Sequence, residues 1–542
     1  MRKPKILMLV LMLISAAMMS IPFLVPNSGW VALFGLVPLL FADVIAENER
    51  IRGFWWWCYL TFLIWNAATT FWVCNATVGG GIFASAANAL QMTVIYCIAR
   101  ASRKKLGNSL SIIFLMLMWI AWERAYFNVD ISWPWLTLGN AFAGSTGLVQ
   151  WYEYTGTLGG SLWIWIANIW LFWLIMGIGT GAFARMSGMG KAISLLGYAA
   201  IIACPMLVSR HIYNNYAEDR SESLAVVIGQ PNFDPYEKFE GISRAEQDSI
   251  FTDLVSPALR RTNPDEHVLV LAPETFTNDI VNRIYTTDSF TENVSDSPSW
   301  QRYHSFLQEY PNATLLFGAS SRDYHYRNAA PNATARHIRE NLWIQPRNSA
   351  ITLNAAGKTE VYHKNKLVVG VESTPYPKLF AKIDDKLGGV MGRDIGDGEA
   401  EVLHVGDIPI GTAICYESVY GEFCTEYVRK GAKAMTVITN DAWWGDTPGY
   451  RQHLRYSALR AIELRRDIAR CANTGISAII DQRGDIIEQT DWWRRETISG
   501  RIYLNDKLTF FAKYGDATGR ICTFAFLLLL LALFVRLITP KR

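Results

Sequence analysis

Three side chains of this 542-residue chain have the types and settings to build a nucleophilic site. Cys415 closes the apolar run IPIGTAIC, and the polar turn Tyr416, Glu417 and Ser418 leads into a helix-like segment. A thiol at a strand-to-helix turn lies beside helix N-terminal amides, which lower a thiol pKa and stabilise a developing oxyanion. Glu274 follows the apolar run VLVLAP. A carboxylate at the carboxyl end of a buried strand projects where ligands bind in open α/β folds and suits a general base. Lys364 stands in VYHKNKLVVG with Lys366 two residues on. In a strand both share one face, so spacing leaves the choice between them open. A lysine here supplies positive charge to a tetrahedral intermediate and helps hold a thiolate. Each residue also has an ordinary alternative: inert packing for the cysteine, free surface for the glutamate, a solvated face for the lysines.

The elements that must position these residues fall into two classes. Residues 1 to about 210 are dominated by Leu, Ile, Trp, Phe and Ala; residues 220 to about 510 have the mixed composition of a soluble domain; residues 521–538 are apolar again. The expected organisation is therefore a membrane helix bundle at 1–215, an α/β domain at 220–510 and a last membrane helix at 519–538. Eight stretches come near the ~20 apolar residues that cross a bilayer. They lie at about 5–25, 29–46, 53–73, 81–99, 110–127, 161–179, 191–209 and 519–538. With the N-terminus in the cytoplasm, the inner loops carry Lys and Arg, whereas the outer connections 26–28, 74–80 and 128–160 carry none. That asymmetry puts the α/β domain on the outer face of the membrane. In the connection 128–160, Trp133, Trp135, Trp151 and Tyr152 suit an interfacial aromatic belt or the lining of a lipid passage.

Within the soluble domain, strands are expected at 224–230, 267–273, 314–320, 349–354, 408–416, 434–439 and 476–481, and helices at 243–261, 299–310, 419–430 and 452–472. Alternation of short apolar runs with helices indicates a largely buried sheet. Long loops remain at about 275–298, 321–346 and 373–400, lengths that often carry function. The segment 376–391 mixes apolar and basic residues and is expected on the bilayer surface. The charges of LRAIELRRDIAR read as a solvated helix face. A net charge of +3 with no basic aromatic patch argues against nucleic acid. The eight cysteines have no disulfide or zinc spacing, and neither metal nor cofactor is expected.

Taken together, the order Glu274, Lys364, Cys415, with CYE at the nucleophile, resembles the nitrilase superfamily. NDAWWGD and the stretch 439–486, HKNKLVVGVE, WPWLTLGN and LVQWYEYTG resemble the apolipoprotein N-acyltransferase family within it. The resemblance implies a membrane bundle carrying an α-β-β-α nitrilase-type sandwich. It implies transfer of an acyl chain from a phospholipid, through a thioester, to the α-amino group of the diacylglyceryl-cysteine of an apolipoprotein. It makes Glu274 the base, Lys364 the oxyanion stabiliser and Cys415 the nucleophile, with Glu372, Tyr416 and Glu417 in support. A family tryptophan falls on Phe239, and the family's Pro-Phe-Gly-Glu run is replaced by Val369-Gly370-Val371-Glu372. Trp443 and Trp444 read as substrate-facing or as core, with Trp443 placed among the supporting residues. The family also implies a multi-pass protein of the bacterial inner membrane, its catalytic domain periplasmic; a monomer is expected.

Two other readings compete. A membrane-anchored nitrilase-type amidase or hydrolase keeps the thioester and lets water discharge it, but eight spans exceed what an anchor needs. A polytopic transporter or receptor drops catalysis, but the spans hold few ionisable residues of the kind that mark a substrate path.

Overall fold

The computed structural model describes residues 3–235 and 241–539; Phe239 lies outside them. Seven helices among these residues are long and apolar enough to cross a bilayer: Lys3–Leu24, Gly29–Asn48, Val78–Leu106, Asn108–Tyr126, Thr157–Gly179, Gly188–Asn215 and Ala517–Ile538. The remaining expected span is the 17-residue helix Phe54–Thr70, about 25 Å long at 1.5 Å per residue. It falls short of the ~30 Å hydrocarbon core, yet it packs inside the bundle against Lys3–Leu24 and Val78–Leu106. The second span breaks at Leu36, two residues before Pro38, and Asn168 Oδ1 accepts the freed N–H groups of Leu36 and Val37 at 2.8 and 3.1 Å. Helices Gly188–Asn215 and Ala517–Ile538 bury almost none of their side chains and so present apolar faces outward.

The connection 128–160 is a folded wedge of short 3-10 turns, with Trp135, Leu138, Phe142 and Tyr152 buried. Trp135 and Tyr152 are therefore not part of an interfacial belt. They lie between the bundle and the α/β domain, where Trp135 packs on Tyr456 and Tyr152 donates to Gly139 O at 2.9 Å.

The α/β domain is two sheets packed face to face. One has nine strands, with Ser223–Gln230, Val268–Leu271 and Ala313–Tyr326 running parallel at its centre. The other has six, with Ile408–Ile414, Ala434–Thr439 and Ile468–Ala472 parallel. Strand alternation divides the apolar residues. Leu224, Val226, Ile228, Leu269 and Leu271 share a core with Ile410, Ala413, Val437 and Ile438 of the facing sheet. Val227, Val268 and Val270 point the other way, onto the helices Arg244–Leu259 and Pro298–Leu307. Helices Gly421–Arg429 and Pro448–Leu464 cover the outer side of the six-stranded sheet. The layer order is α-β-β-α.

Three expectations need correction. The helix expected over 452–472 ends at Leu464, because Arg465 takes a left-handed conformation (φ 49°) and a strand, Ile468–Ala472, follows. The charges of that stretch are not solvated: Arg460, Glu463, Arg465, Arg466, Asp467 and Arg470 are each at most 2% exposed. The loop expected over 321–346 is instead the extension of two paired strands, Ala313–Tyr326 and Leu342–Asn354, with Arg336–Arg339 at their edge. The segment 373–400 contains the helix Pro377–Lys386, whose neighbourhood exposes Leu379, Ile383, Leu387 and Val390.

Candidate active site

The site forms at the carboxyl ends of strands from both sheets. Glu274 lies just past Val268–Leu271, Lys364 directly after Thr359–His363, and Cys415 directly after Ile408–Ile414. The strand that carries Glu274 is crowded: a Cβ on the neighbouring Gly318 would stand 2.5 Å from Glu274 Cα and from Pro273 O. Only glycine admits that approach. Thr275 and Cys415 both adopt left-handed backbones, with φ of 48° and 50°. Such strained turns at non-glycine residues persist where surrounding structure over-determines them. Around Cys415 that structure is visible: Ser418 Oγ donates to Cys415 O at 2.7 Å, and His453 Nε2 lies 3.1 Å from the same carbonyl.

A cavity of about 670 Å³ brings the polar residues together. Glu274, Lys364, Glu372, Cys415, Tyr416 and Trp443 all line it. Lys364 Nζ donates to Glu274 Oε1 at 2.9 Å and to Glu372 Oε1 at 2.7 Å. Asn348 Nδ2 donates to the same two oxygens, each at 2.8 Å. The backbone N–H of Asn440 reaches Glu274 Oε2 at 3.1 Å, and that of Val368 reaches Glu372 Oε2 at 2.7 Å. The two lysines point in different directions, and only Lys364 lines the cavity. The strand ends at His363, the chain turns, and Lys366 Nζ sits over the rings of Tyr420 and Phe423 at 5.2 and 5.4 Å.

Electrostatics sets the resting protonation. Burial works against the Lys364 charge, but Glu274 and Glu372 overcome it and hold its pKa well above the ordinary value. Burial, and then the Glu274 charge, push the Cys415 thiol well above its usual range, against the pull of Lys364. This corrects the expectation that helix amides lower the thiol pKa and that the lysine holds a thiolate. Desolvation of a fully buried sulfur outweighs one nearby cation that is already shared by two carboxylates. Cys415 rests as a thiol and must lose its proton as it reacts.

Glu417 stands behind the cavity wall and is fully buried. Its Oε2 accepts the N–H of Ile414 at 2.8 Å; its Oε1 accepts Asn365 N–H and Tyr362 OH, both at 2.7 Å. It thus ties the turn of the cysteine to the turn of the lysine. Tyr416 OH donates to Ser132 O at 3.1 Å, and its ring stacks on Trp133. Trp72, Trp133, Trp135 and Trp444 form an apolar wall contributed mostly by the bundle and the 128–160 wedge. Helix Pro448–Leu464 locks that wall in place: Gln452 accepts from Trp135 Nε1 at 2.7 Å and donates to Phe23 O and Thr69 O at 3.2 and 3.1 Å.

Sequence reasoning did not find Asn348, Asn440, Asp394, Trp72 or the pair Asp441–His453. The ND of NDAWWGD marked Asn440 and Asp441; nothing in the chain marks Asn348. Cys415, Asp441 and His453 offer donor atoms within 4.8 Å of one another. They do not fit a metal ion, because Asp441 is already saturated: Arg470 lies 2.6 Å from Oδ2, and Thr439 and His453 lie 2.7 and 2.9 Å from Oδ1. A cation there would meet the Arg470 guanidinium.

A four-layer sandwich with this cavity at its strand ends defines a carbon–nitrogen hydrolase, the class whose family model matches residues 253–507. Residues 15–170 match the apolipoprotein N-acyltransferase N-terminal domain. The chain is 28% identical to the apolipoprotein N-acyltransferase of Chlorobaculum tepidum over 504 residues, 91% of this chain and 89% of the relative. It is 24% identical to that of Geobacter metallireducens over 523 residues, 94% and 92% of the two chains. A solved structure similar to it is Nit3 of Saccharomyces cerevisiae, a member of branch 10 of the nitrilase superfamily. The identity is 16% and the TM-score 0.37, over 56% of this chain and 98% of that one. The chain thus carries both domains and is similar along nearly its whole length to apolipoprotein N-acyltransferases, and it is a bacterial membrane protein.

Proposed function

We propose that this enzyme N-acylates lipoproteins by carrying an acyl chain on Cys415. The supporting observation is one cavity that joins a thiol, a lysine–glutamate array and an aromatic wall built from membrane-domain residues. The donor is a phospholipid and the acceptor is the α-amino group of a diacylated N-terminal cysteine. Glu274 takes the thiol proton as sulfur attacks the ester carbonyl, and Lys364 stabilises the oxyanion. The lysophospholipid leaves as an alcohol with that proton, and a thioester remains. The acceptor amine then attacks the thioester, Glu274 takes a proton from its nitrogen, the C–S bond breaks, and Glu274 delivers that proton to the departing sulfur to regenerate the Cys415 thiol. The bundle lies in the inner membrane with the α/β domain periplasmic, as the absence of Lys and Arg from the outer connections supports. The enzyme works as a monomer, since bundle and sandwich share one core.

The hydrolase alternative differs only in what discharges the thioester. Five tryptophans and Val371 around the cavity favour an acyl chain and disfavour water. The test is incubation of the purified protein with phospholipid and a diacylated lipopeptide. The expected product carries a third acyl chain in amide linkage, and an N-acetylated lipopeptide gives none. Release of free fatty acid at the same rate with and without lipopeptide would establish the hydrolase instead.

A further inference from the structure

The cavity holds a third carboxylate that the mechanism above leaves unused. Asp394 lines it together with Glu274, Glu372, Lys364 and Cys415. The segment that carries Asp394 is fixed: its N–H donates to Glu372 O at 2.8 Å, and Gln345 Nε2 donates to Arg393 O at 2.8 Å. The oxygens of Glu274 and Glu372 are occupied by Lys364, Asn348 and backbone amides. Among the described residues, none donates a hydrogen bond to the Asp394 carboxylate. The charged groups that face it are Glu372, Lys364, Arg336 and Glu274. Of the other cations in the lining, Arg347 is matched by Asp323 and Asp397, and Arg322 is held on Asn278 O. Within the lining, three carboxylates therefore face the one Lys364 ammonium, while Arg336 acts on Asp394 from outside the lining, where it donates to Met391 O at 3.0 Å. Such a cavity draws in a cation.

Resting on the acyl-transfer reading, we propose that Asp394 receives the protonated α-amino group of the acceptor and takes its first proton. The second substrate meets that need chemically, because an α-amine with an ordinary pKa near 8 arrives largely as ammonium, which cannot attack a carbonyl. One proton passes to Asp394 and frees the nitrogen lone pair. That nitrogen attacks the thioester, its second proton goes to Glu274 and on to the departing sulfur, and Asp394 releases its proton to solvent. Acyl-thioester plus ammonium thus gives amide, thiol and one proton. Burial and the Glu372 charge raise the Asp394 carboxyl to about 7, close to the pKa of the amine it would relieve. An ester donor carries no such proton, so the demand on Asp394 belongs to the second half-reaction.

The experiment is rapid-quench kinetics of the full-length protein with phospholipid and then with diacylated lipopeptide, comparing wild type with Asp394→Asn and Asp394→Glu. Asp394→Asn is expected to slow discharge of the acyl-enzyme to the lipopeptide by about 10²-fold, to slow its formation far less, and to raise the acceptor KM. Asp394→Glu is expected to recover part of the discharge rate. Unchanged discharge in Asp394→Asn, or formation and discharge slowed equally, overturns the proposal. Failure of wild type to form any acyl-enzyme overturns the acyl-transfer reading itself, and is seen before either variant is tested.

Discussion

Glu417 Oε1 accepts the backbone N–H of Asn365 at 2.7 Å, so the residue two past the cysteine holds the residue one past the lysine. The other oxygen holds Ile414, the last residue of the strand before the cysteine. Both oxygens face backbone donors, and that geometry distinguishes carboxylate from amide.

Glu417→Gln is therefore expected to be nearly as damaging as Glu417→Ala. The glutamine NH2 must point at either Ile414 N–H or Asn365 N–H, leaving a buried donor facing a donor at a cost of about 1–3 kcal/mol. Acyl transfer should fall at least ~10-fold in both variants, with a lowered thermal midpoint. Retention of full activity by the glutamine variant would show that the tie is not needed.

Lys364→Met leaves Glu274 and Glu372 sharing Asn348 without their cation. The expected loss is about 10²–10³-fold in acyl transfer. Lys364→Arg should not rescue it, since a planar guanidinium does not replace a compact ammonium at a side chain that is 1% exposed. Steady-state rates of the two variants check this.

Much of this arrangement was legible in the chain. Short apolar runs closed by Pro-Glu and by Cys-Tyr-Glu placed two of the residues at strand ends, because strand burial leaves a local signature. Lys364 could not be told from Lys366 by spacing, since the divergence begins in the turn after His363. Asn348 is invisible in sequence: it acts from mid-strand, within Leu342–Asn354, across the sheet onto two glutamates 74 and 24 positions away. The stretch 460–470 misled most. Its charges have the composition of a solvated face, yet each is buried against a tertiary partner such as Thr157, Glu153 or Asp441.

Arg460 supplies the sharpest case. It donates to Ser418 O and Val419 O, both at 3.1 Å, to Glu463 at 2.6 Å and to Thr157 of the bundle at 2.9 Å. Arg460→Ala leaves Glu463 as an uncompensated buried charge. The expected cost is about 3–5 kcal/mol of stability, read as a lower thermal midpoint in detergent.

Discharge of the acyl-enzyme should depend on pH with a definite sign. The Asp394 carboxyl is raised to about 7, so it is protonated below that value and a carboxylate above it. The discharge rate is expected to rise with pH through about 7, and Asp394→Asn to lose that inflection. A stopped pH series at fixed lipopeptide concentration measures it, with Glu372, Lys364, Arg336 and Glu274 as the facing charges left in place.

Acyl transfer through this site requires a thioester on the sulfur of Cys415. Purified protein is incubated with phospholipid alone, quenched and digested, and the peptide containing Cys415 is weighed. The expected result is a mass increase of one acyl chain on that cysteine, which disappears when a diacylated lipopeptide with a free amine is added. An unmodified Cys415, while the lipopeptide is still acylated in the same preparation, would contradict it.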